Sequence, residues 1–291
     1  MKKTVRNIAL VAKAETIAAQ KIVRKAAKLA EDLGLQPITD EKTANLAKLN
    51  LPIRKDPLAI SKLADLIMVF GGDGTMLHWA RCSAGSGTPI FGVNIGGLGF
   101  LTAASTKDLS KAMNDIAVGN FNIESRTLLS AKGETHQKKF NLSAMNDFVI
   151  SRGTIPRMIR LEVKVNGEIL TTYRCDGLVI STSTGSTAYS LAAGGAILAP
   201  GAGVISITPI CPHTLSNRAV IVNQQSTIEV RMVDHKREAN LSADGWDCLE
   251  IQTKEPVIIR RNRHSVKLAR LPDSSFFETL RHKLQWTGSH A

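Results

Sequence analysis

Leu66-Ile67-Met68-Val69-Phe70-Gly71-Gly72-Asp73-Gly74-Thr75-Met76 is the stretch from which the fold of this chain can be read. The apolar run Leu66 to Phe70 has the length and composition of a buried strand, and a glycine loop follows it without a spacer. Glycines at 71, 72 and 74 let the backbone approach a ligand closely and leave the carboxylate of Asp73 projecting from the loop. That combination suits phosphate chemistry, but a tight turn between a strand and a helix reads the same way in so short a motif.

Working outward, Thr75 to Cys82 is predicted to be helical, with its N-terminal N–H groups and partial positive charge beside the loop. Ile8 to Ala12 reads as a first buried strand. Thr16 to Leu33 reads as a helix with Ile22, Ala26, Leu29 and Leu33 on one stripe and Gly34 at its end. Leu35 to Ile38 is a second strand, Leu58 to Ala64 a short helix, and Pro89 to Val93 a strand that enters a second glycine loop, Asn94 to Gly99. Strands alternating with helices predict an α/β N-terminal domain with a Rossmann-like parallel sheet, whose ligand crevice lies at the carboxyl ends of the strands. Both glycine loops fall at that edge.

Past residue 120 the rhythm changes. Leu161 to Val165 and Glu168 to Tyr173, joined by Asn166-Gly167, form a strong hairpin signal. Further strands are expected at Gly177–Ser181, Val204–Thr208, Val220–Val222, Thr227–Val233, Asn240–Ala243, Leu249–Gln252, Val257–Arg260 and Ser265–Leu268, with a tight turn at Asp244-Gly245 and one short helix near Thr187 to Ala193. This half is predicted to be an all-β sandwich. Ser274 to Trp286 is again helical in pattern, with Phe277, Leu280 and Leu284 on one side. The expected division is therefore 1–120, 121–271, and a C-terminal helix over 272–291 that returns to the first domain.

Composition narrows the partners. Lys and Arg number 37 against 25 Asp and Glu, so the formal charge is 37 − 25 = +12, which favours anionic ligands. Aromatics make up only 4%, too few for a surface that stacks single-stranded nucleic acid, so a nucleotide is preferred to a nucleic acid. The four cysteines lie far apart with no CxxC pair, which predicts reduced thiols, a cytoplasmic location and no zinc site. The N-terminal apolar run, Ile8 to Ala12, is too short for a signal core even with the A-x-A triplet at Ala12 to Ala14, and no run reaches the length of a membrane span.

A second polar stretch, Arg174-Cys-Asp-Gly-Leu-Val-Ile-Ser-Thr-Ser-Thr-Gly-Ser-Thr-Ala-Tyr189, follows a carboxylate with hydroxyls and small residues. The apolar strand inside it, Leu178 to Ile180, marks it as a positioned site rather than a surface loop. Five matches in order make the chain resemble the NAD kinase family: GGDGT at Gly71 to Thr75, NIGGLGFL at Asn94 to Leu101, Asn146-Asp147, DGLVISTSTGSTAYSLAAGG at Asp176 to Gly195, and PHTLSNR at Pro212 to Arg218. GGDGT alone is shared with diacylglycerol and sphingosine kinases and phosphofructokinases; the STGSTAYSLAAGG stretch is specific.

The resemblance implies phosphorylation of NAD to NADP, with ATP (or polyphosphate) as donor, a divalent cation such as Mg²⁺ carried with ATP, and a homodimer or homotetramer without nucleic-acid or membrane partners. It implies Asp73 as general base toward the 2′-hydroxyl of the adenosine ribose. Gly71, Gly72, Gly74 and Thr75 would form the phosphate loop, with Gly74 also touching the dinucleotide. Asn146 and Asp147 would hold the adenosine part of NAD, with Asp where Glu is usual. Arg157 and Arg174 would lie near the dinucleotide, Asp176 near its nicotinamide end, and Thr187, Ala188, Tyr189, Ser190, Leu191 and Ala192 around adenine and ribose. His213 reads as structural. Ala219 stands where the family commonly has Pro, and Trp246 where a polar residue often meets the ligand. No dedicated metal cage is visible. A lipid kinase using the same GGDGT loop and a basic, non-catalytic nucleic-acid-binding protein are the competing readings.

Overall fold

The computed structural model describes residues 5–13, 17–97, 99–135, 138–153, 157–214, 216–234, 238–251 and 255–286. Ala14, Thr16, Leu98, Leu215 and Gln252, named above within motifs or elements, lie outside them. The chain divides into two compact units, Met1–Ser125 with Val266–Ala291, and Arg126–Ser265. The second unit thus begins at Arg126 rather than at 121, and the chain rejoins the first at Val266 rather than at 272. The physical reason is that two long strands, described below, run across both joins, so no loop marks either of them.

The first unit alternates as its sequence pattern demands. Its elements are β1 (Asn7–Ala12), α1 (Ile17–Asp32), β2 (Gln36–Thr39), α2 (Glu41–Ala47), α3 (Pro57–Leu63), β3 (Leu66–Phe70), α4 (Asp73–Cys82), β4 (Ile90–Asn94), β5 (Ala104–Ser105) and α5 (Leu109–Ala117). Adjacent strands pair in parallel, β2 with β1, β1 with β3, β3 with β4 and β4 with β5. β3 lies between two neighbours, and each of its side chains is fully buried, contributing about 1.5–3 kcal/mol apiece from removal of apolar surface. α1 buries Ala19, Ile22, Val23, Ala26, Ala27 and Ala30, so its inner stripe runs through small residues, with Leu29 and Leu33 only partly covered at its edge. α2 has no counterpart in the sequence reading; the Asp40 carboxylate caps it by accepting the N–H of Thr43 at 2.6 Å. α5 was missed as well.

The second unit contains β6 (Asn122–Glu134), β7 (Lys139–Ala144), β8 (Asp147–Arg152), β9 (Ile159–Val165), β10 (Glu168–Cys175) and β11 (Gly177–Thr182). After a 3₁₀ turn over Thr184–Thr187 come α6 (Tyr189–Ala192), β12 (Val204–Ile210), β13 (Val220–Asn223), β14 (Ile228–Met232), β15 (Ala239–Ala243), β16 (Trp246–Ile251) and β17 (Val257–Arg270). One antiparallel layer reads β13-β12-β11-β8-β15-β16, and the other contains β10-β9-β14-β17 with β6 and β7. Leu161, Val163 and Ile228 of one layer share a core with Phe148, Ile180 and Ile207 of the other, which is the predicted sandwich. Both hairpin turns carry the expected left-handed backbone: φ is 54° and 85° at Asn166-Gly167, and 51° and 75° at Asp244-Gly245.

Three expectations change. Val257–Arg260 and Ser265–Leu268 belong to one continuous strand, β17, because the polar residues between them stay in the strand, with Asn262 donating to Ser143 Oγ at 2.9 Å. The helix expected from Thr187 is a 3₁₀ turn that starts at Thr184 and passes into a single α-turn. In the last helix, α7 (Phe276–Leu284), Leu280 is buried and Leu284 half-buried, but Phe277 points outward and Phe276 takes its place. Residues 276, 280 and 284 share a face at a spacing of four, from which 277 is displaced.

Candidate active site

In the first unit the helix begins one residue inside the glycine loop. Gly72 is the N-cap of α4, and its carbonyl accepts the N–H groups of Thr75 at 3.0 Å and Met76 at 3.1 Å. Asp73 is therefore a residue of the first helical turn rather than a free projection from a loop, a place where the helix dipole favours a carboxylate. Its carboxylate is held by the second glycine loop: Phe100 N–H donates to Oδ2 at 2.9 Å and Leu101 N–H to Oδ1 at 3.0 Å. A Cβ on Gly99 would lie 2.1 Å from Asp73 Oδ1, so only glycine there lets the carboxylate come so close. GGDGT and NIGGLGFL are thus two halves of one device.

The other glycines sort by what surrounds them. A Cβ on Gly71 would meet Thr75 Oγ1 at 2.4 Å, whereas Gly72 and Gly74 have nothing within 4 Å. The open side is where a ligand has room. A cavity of about 520 Å³ is lined by Lys13, Ala18, Gly71, Gly72, Thr75, Ile95 and Gly96, joining both loops to the end of β1. Asn94 shapes its far wall by accepting the N–H of Gly96 at 2.7 Å while its amide donates to the Gly97 carbonyl and to Thr102 Oγ1. Lys13 escaped the sequence reading; its position directly after a strand at the carboxyl edge of the sheet was the available signal. Among the described residues no group of three or more His, Cys, Asp or Glu could cage a metal ion.

In the second unit Asn146 and Asp147 sit where β7 passes into β8. Asp244, read from sequence only as a turn residue, reaches back to this corner. Its carboxylate accepts the N–H groups of Met145 at 2.8 Å, Asn146 at 2.7 Å and Asp147 at 3.1 Å. The Asn146 carbonyl in turn accepts Thr182 N–H at 2.8 Å, and Thr182 Oγ1 donates to the Met145 carbonyl at 2.6 Å while accepting Gly185 N–H at 3.0 Å. A Cβ on Gly185 would lie 2.2 Å from the Asn146 carbonyl oxygen, so the glycine of STGSTAY is what lets the polar stretch fold down onto Asn146.

Beyond it Thr187, Ala188 and Leu191 are half-buried and Tyr189 and Ala192 exposed. The Ser190 hydroxyl turns inward to Thr208 at 3.1 Å, which leaves its backbone rather than its side chain for any ligand.

The structure does not bring every expected residue to that corner. β11 pairs with β8 so that Gly177 faces Ser151 and Ser181 faces Asp147, which puts Asp176 about 17 Å of extended chain from Ser181. Asp176 accepts Arg152 Nε at 3.1 Å. Arg157 and Arg174 line a separate cavity of about 590 Å³ with Met158, Arg160 and Asp234, in which Arg160 donates twice to Asp234 Oδ1. The exposed His213 is tied to the Arg174 carbonyl through its backbone N–H at 2.8 Å. Trp246 opens β16 with 43% of its surface exposed.

Burial, reinforced by the neighbouring Asp244 carboxylate, pushes Asp147 up to about 7. The unfolded chain releases that proton near the ordinary carboxylate value of about 4, so between there and pH 7 the folded state binds more protons and stability falls as pH rises. Asp147→Asn removes this loss. We expect its Tm to exceed that of the wild type by several degrees at pH 8 and to converge with it near pH 4, roughly 4 kcal/mol being the upper bound set by the shift. Parallel melting curves at both pH values check it; a constant offset would contradict it.

Comparison with known proteins identifies the family. The model of the ATP-NAD kinase N-terminal domain matches residues 8–121 and that of the ATP-NAD kinase C-terminal domain matches residues 145–271. The NAD kinase of Nitrosomonas europaea is 39% identical over 259 residues, covering 88% of this chain and 87% of its own. That of Geobacter sulfurreducens is 37% identical over 284 residues, covering 97% and 99%. Yeast NADH kinase, solved in complex with NADH, superposes with a TM-score of 0.89 at 24% identity over 100% of this chain and 90% of that one, a likeness of fold. An Archaeoglobus fulgidus NAD kinase solved with ATP gives 0.76 at 23% identity over 97% and 100%. Matched in both halves and along nearly its whole length, the chain belongs to the ATP-NAD kinase family.

Proposed function

We infer that this protein is an NAD kinase, transferring the terminal phosphoryl group of ATP to the 2′-hydroxyl of the adenosine ribose of NAD to give NADP and ADP. The observation that carries the mechanism is the placing of Asp73 at the N-terminus of α4 by two backbone N–H groups, beside a cavity edged with glycine backbone and Lys13. In the reaction the ribose O2′ forms a bond to the γ-phosphorus as the bond from that phosphorus to the β,γ-bridging oxygen breaks, and the hydroxyl proton passes to the Asp73 carboxylate. The loose phosphoryl-transfer transition state asks only that it orient the hydroxyl and accept the proton late. Fixing Asp73 therefore counts for more than raising its basicity.

The γ-phosphoryl oxygens are offered the N-terminal N–H groups of α4 and the Lys13 ammonium. We expect Lys13→Gln to raise KM for ATP roughly tenfold, the low end for one charge-assisted hydrogen bond, with KM for NAD unchanged. Equal changes in both constants, or none, would count against a phosphate site at Lys13. Mg²⁺ would enter carried on the ATP phosphates, since among the described residues no group of three or more acidic, His or Cys side chains could cage it. When bound it would neutralise charge on the β- and γ-oxygens.

For the acceptor we propose that Asn146 and Asp147 take the adenosine part of NAD, with Thr187 to Ala192 beside them, and that Arg157, Arg174 and Asp176 take the rest of the dinucleotide. Free thiols at Cys82, Cys175, Cys211 and Cys248 support a cytoplasmic location, and the resemblance supports a homodimer or homotetramer. The lipid-kinase reading rests on GGDGT alone, while the C-terminal family match spans residues 145–271. A panel of donors (ATP, polyphosphate) against acceptors (NAD, NADH, diacylglycerol) separates the two: phosphate entering NAD supports this reading, and phosphate entering lipid alone overturns it.

A further inference from the structure

The returning end of β17 brings Arg270 back into the first unit, where no sequence motif marks it. The side chain is buried, with its residue only 9% exposed. Its guanidinium donates from Nη2 to the Phe100 carbonyl at 2.8 Å and from Nη1 to the Thr102 carbonyl, and Nε lies 3.6 Å from Glu124 Oε2. The Phe100 carbonyl and the Leu101 N–H belong to one peptide group. Arg270 binds its oxygen, and its N–H donates to Asp73 Oδ1.

We propose that Arg270 is a positioning residue for phosphoryl transfer, holding the Phe100–Leu101 peptide with its N–H turned toward Asp73 and so fixing the carboxylate. The proposal rests on Asp73 being the proton acceptor. Three considerations carry it. A peptide plane can rotate about its flanking bonds, and a turned plane would present a carbonyl oxygen to the carboxylate in place of a donor. A cation on the carbonyl opposes that turn, and it also polarises the peptide so that its N–H becomes the stronger donor. Finally, only a planar fork spans two carbonyls two residues apart while a third nitrogen faces Glu124; a lysine ammonium is a point charge on a flexible stem.

The neighbours agree with this reading. Gly99 N–H donates to Thr102 Oγ1 at 3.3 Å, and the Phe276 ring of α7 lies 6.4 Å from the Phe100 ring, so the loop has further braces. Arg270 itself needs no contact with substrate to act.

The test uses the full chain. Arg270→Lys and Arg270→Gln are compared with the wild type in steady-state NADP formation, and again in an Asp73→Asn background. We expect kcat to fall about 10- to 100-fold with KM for ATP and NAD changed less than threefold, because ground-state binding is untouched. In the Asp73→Asn background the same substitutions should have little further effect on kcat. Folding is followed by melting; if Arg270→Gln does not fold, Arg270→Lys keeps the buried charge and carries the test.

Unchanged kcat in a folded Arg270→Lys protein overturns the proposal while leaving Asp73 its role. Full effects of Arg270 substitution persisting in the Asp73→Asn background overturn it as well. An Asp73→Asn enzyme of near wild-type activity overturns the reading of Asp73 itself, and this inference with it.

Discussion

Asp73→Asn is expected to lower kcat for NADP formation by about 10²- to 10⁴-fold, the usual span for loss of a positioned proton acceptor. The substitution keeps the size of the side chain but removes its capacity to take the ribose proton. It also replaces one accepting oxygen by an amide NH₂, so one of the two N–H groups at Phe100 and Leu101 faces another donor. That local conflict should cost about 1–3 kcal/mol of stability, which denaturant unfolding reads separately from activity. A variant that folds normally and turns over within a few-fold of the wild type would remove Asp73 from the chemistry.

The second large effect concerns a residue that never touches the reacting atoms. Asp244→Ala takes away the carboxylate that accepts three consecutive N–H groups at Met145, Asn146 and Asp147. Asp244 is 8% exposed, so water does not readily replace it. Hydrogen bonds to a charged acceptor contribute about 1.5–3 kcal/mol each, and they are not additive over one corner. Relief of the charge repulsion with Asp147 offsets part of the loss. We therefore expect destabilisation of about 3–5 kcal/mol, near the limit for single substitutions, and a higher KM for NAD with KM for ATP nearly unchanged. Urea unfolding together with the two Michaelis constants decides it; a loss below about 1 kcal/mol would mean that the corner is held by other contacts.

Much of the fold was legible because the N-terminal half follows local rules. Leu66–Phe70 is apolar at every position because both of its faces are covered, and Asn166-Gly167 and Asp244-Gly245 have the residues that a left-handed turn requires. What escaped depends on contacts distant in sequence. The union of Asp73 with Phe100 and Leu101 spans 27 and 28 residues, that of Asp244 with Met145–Asp147 spans 97 to 99, and that of Arg270 with Phe100 spans 170. No periodicity or spacing announces such pairs.

The two glycine motifs could be recognised singly, but that one receives the carboxylate of the other is visible only when the space around Gly99 is measured. Phe277 failed for a different reason: apolar residues at 276 and 277 offer two helix faces, and packing against Phe100 selects the first. The compact units divide inside β6 and β17, which cross the joins as unbroken strands and so leave no loop signal in the sequence.

Purified protein supplied with NAD, ATP and Mg²⁺ should convert NAD to NADP with one ADP formed for each NADP, the product being accepted by a dehydrogenase specific for the 2′-phosphate. ATP consumed without NADP, phosphate placed on another hydroxyl, or no turnover by a folded protein would contradict it.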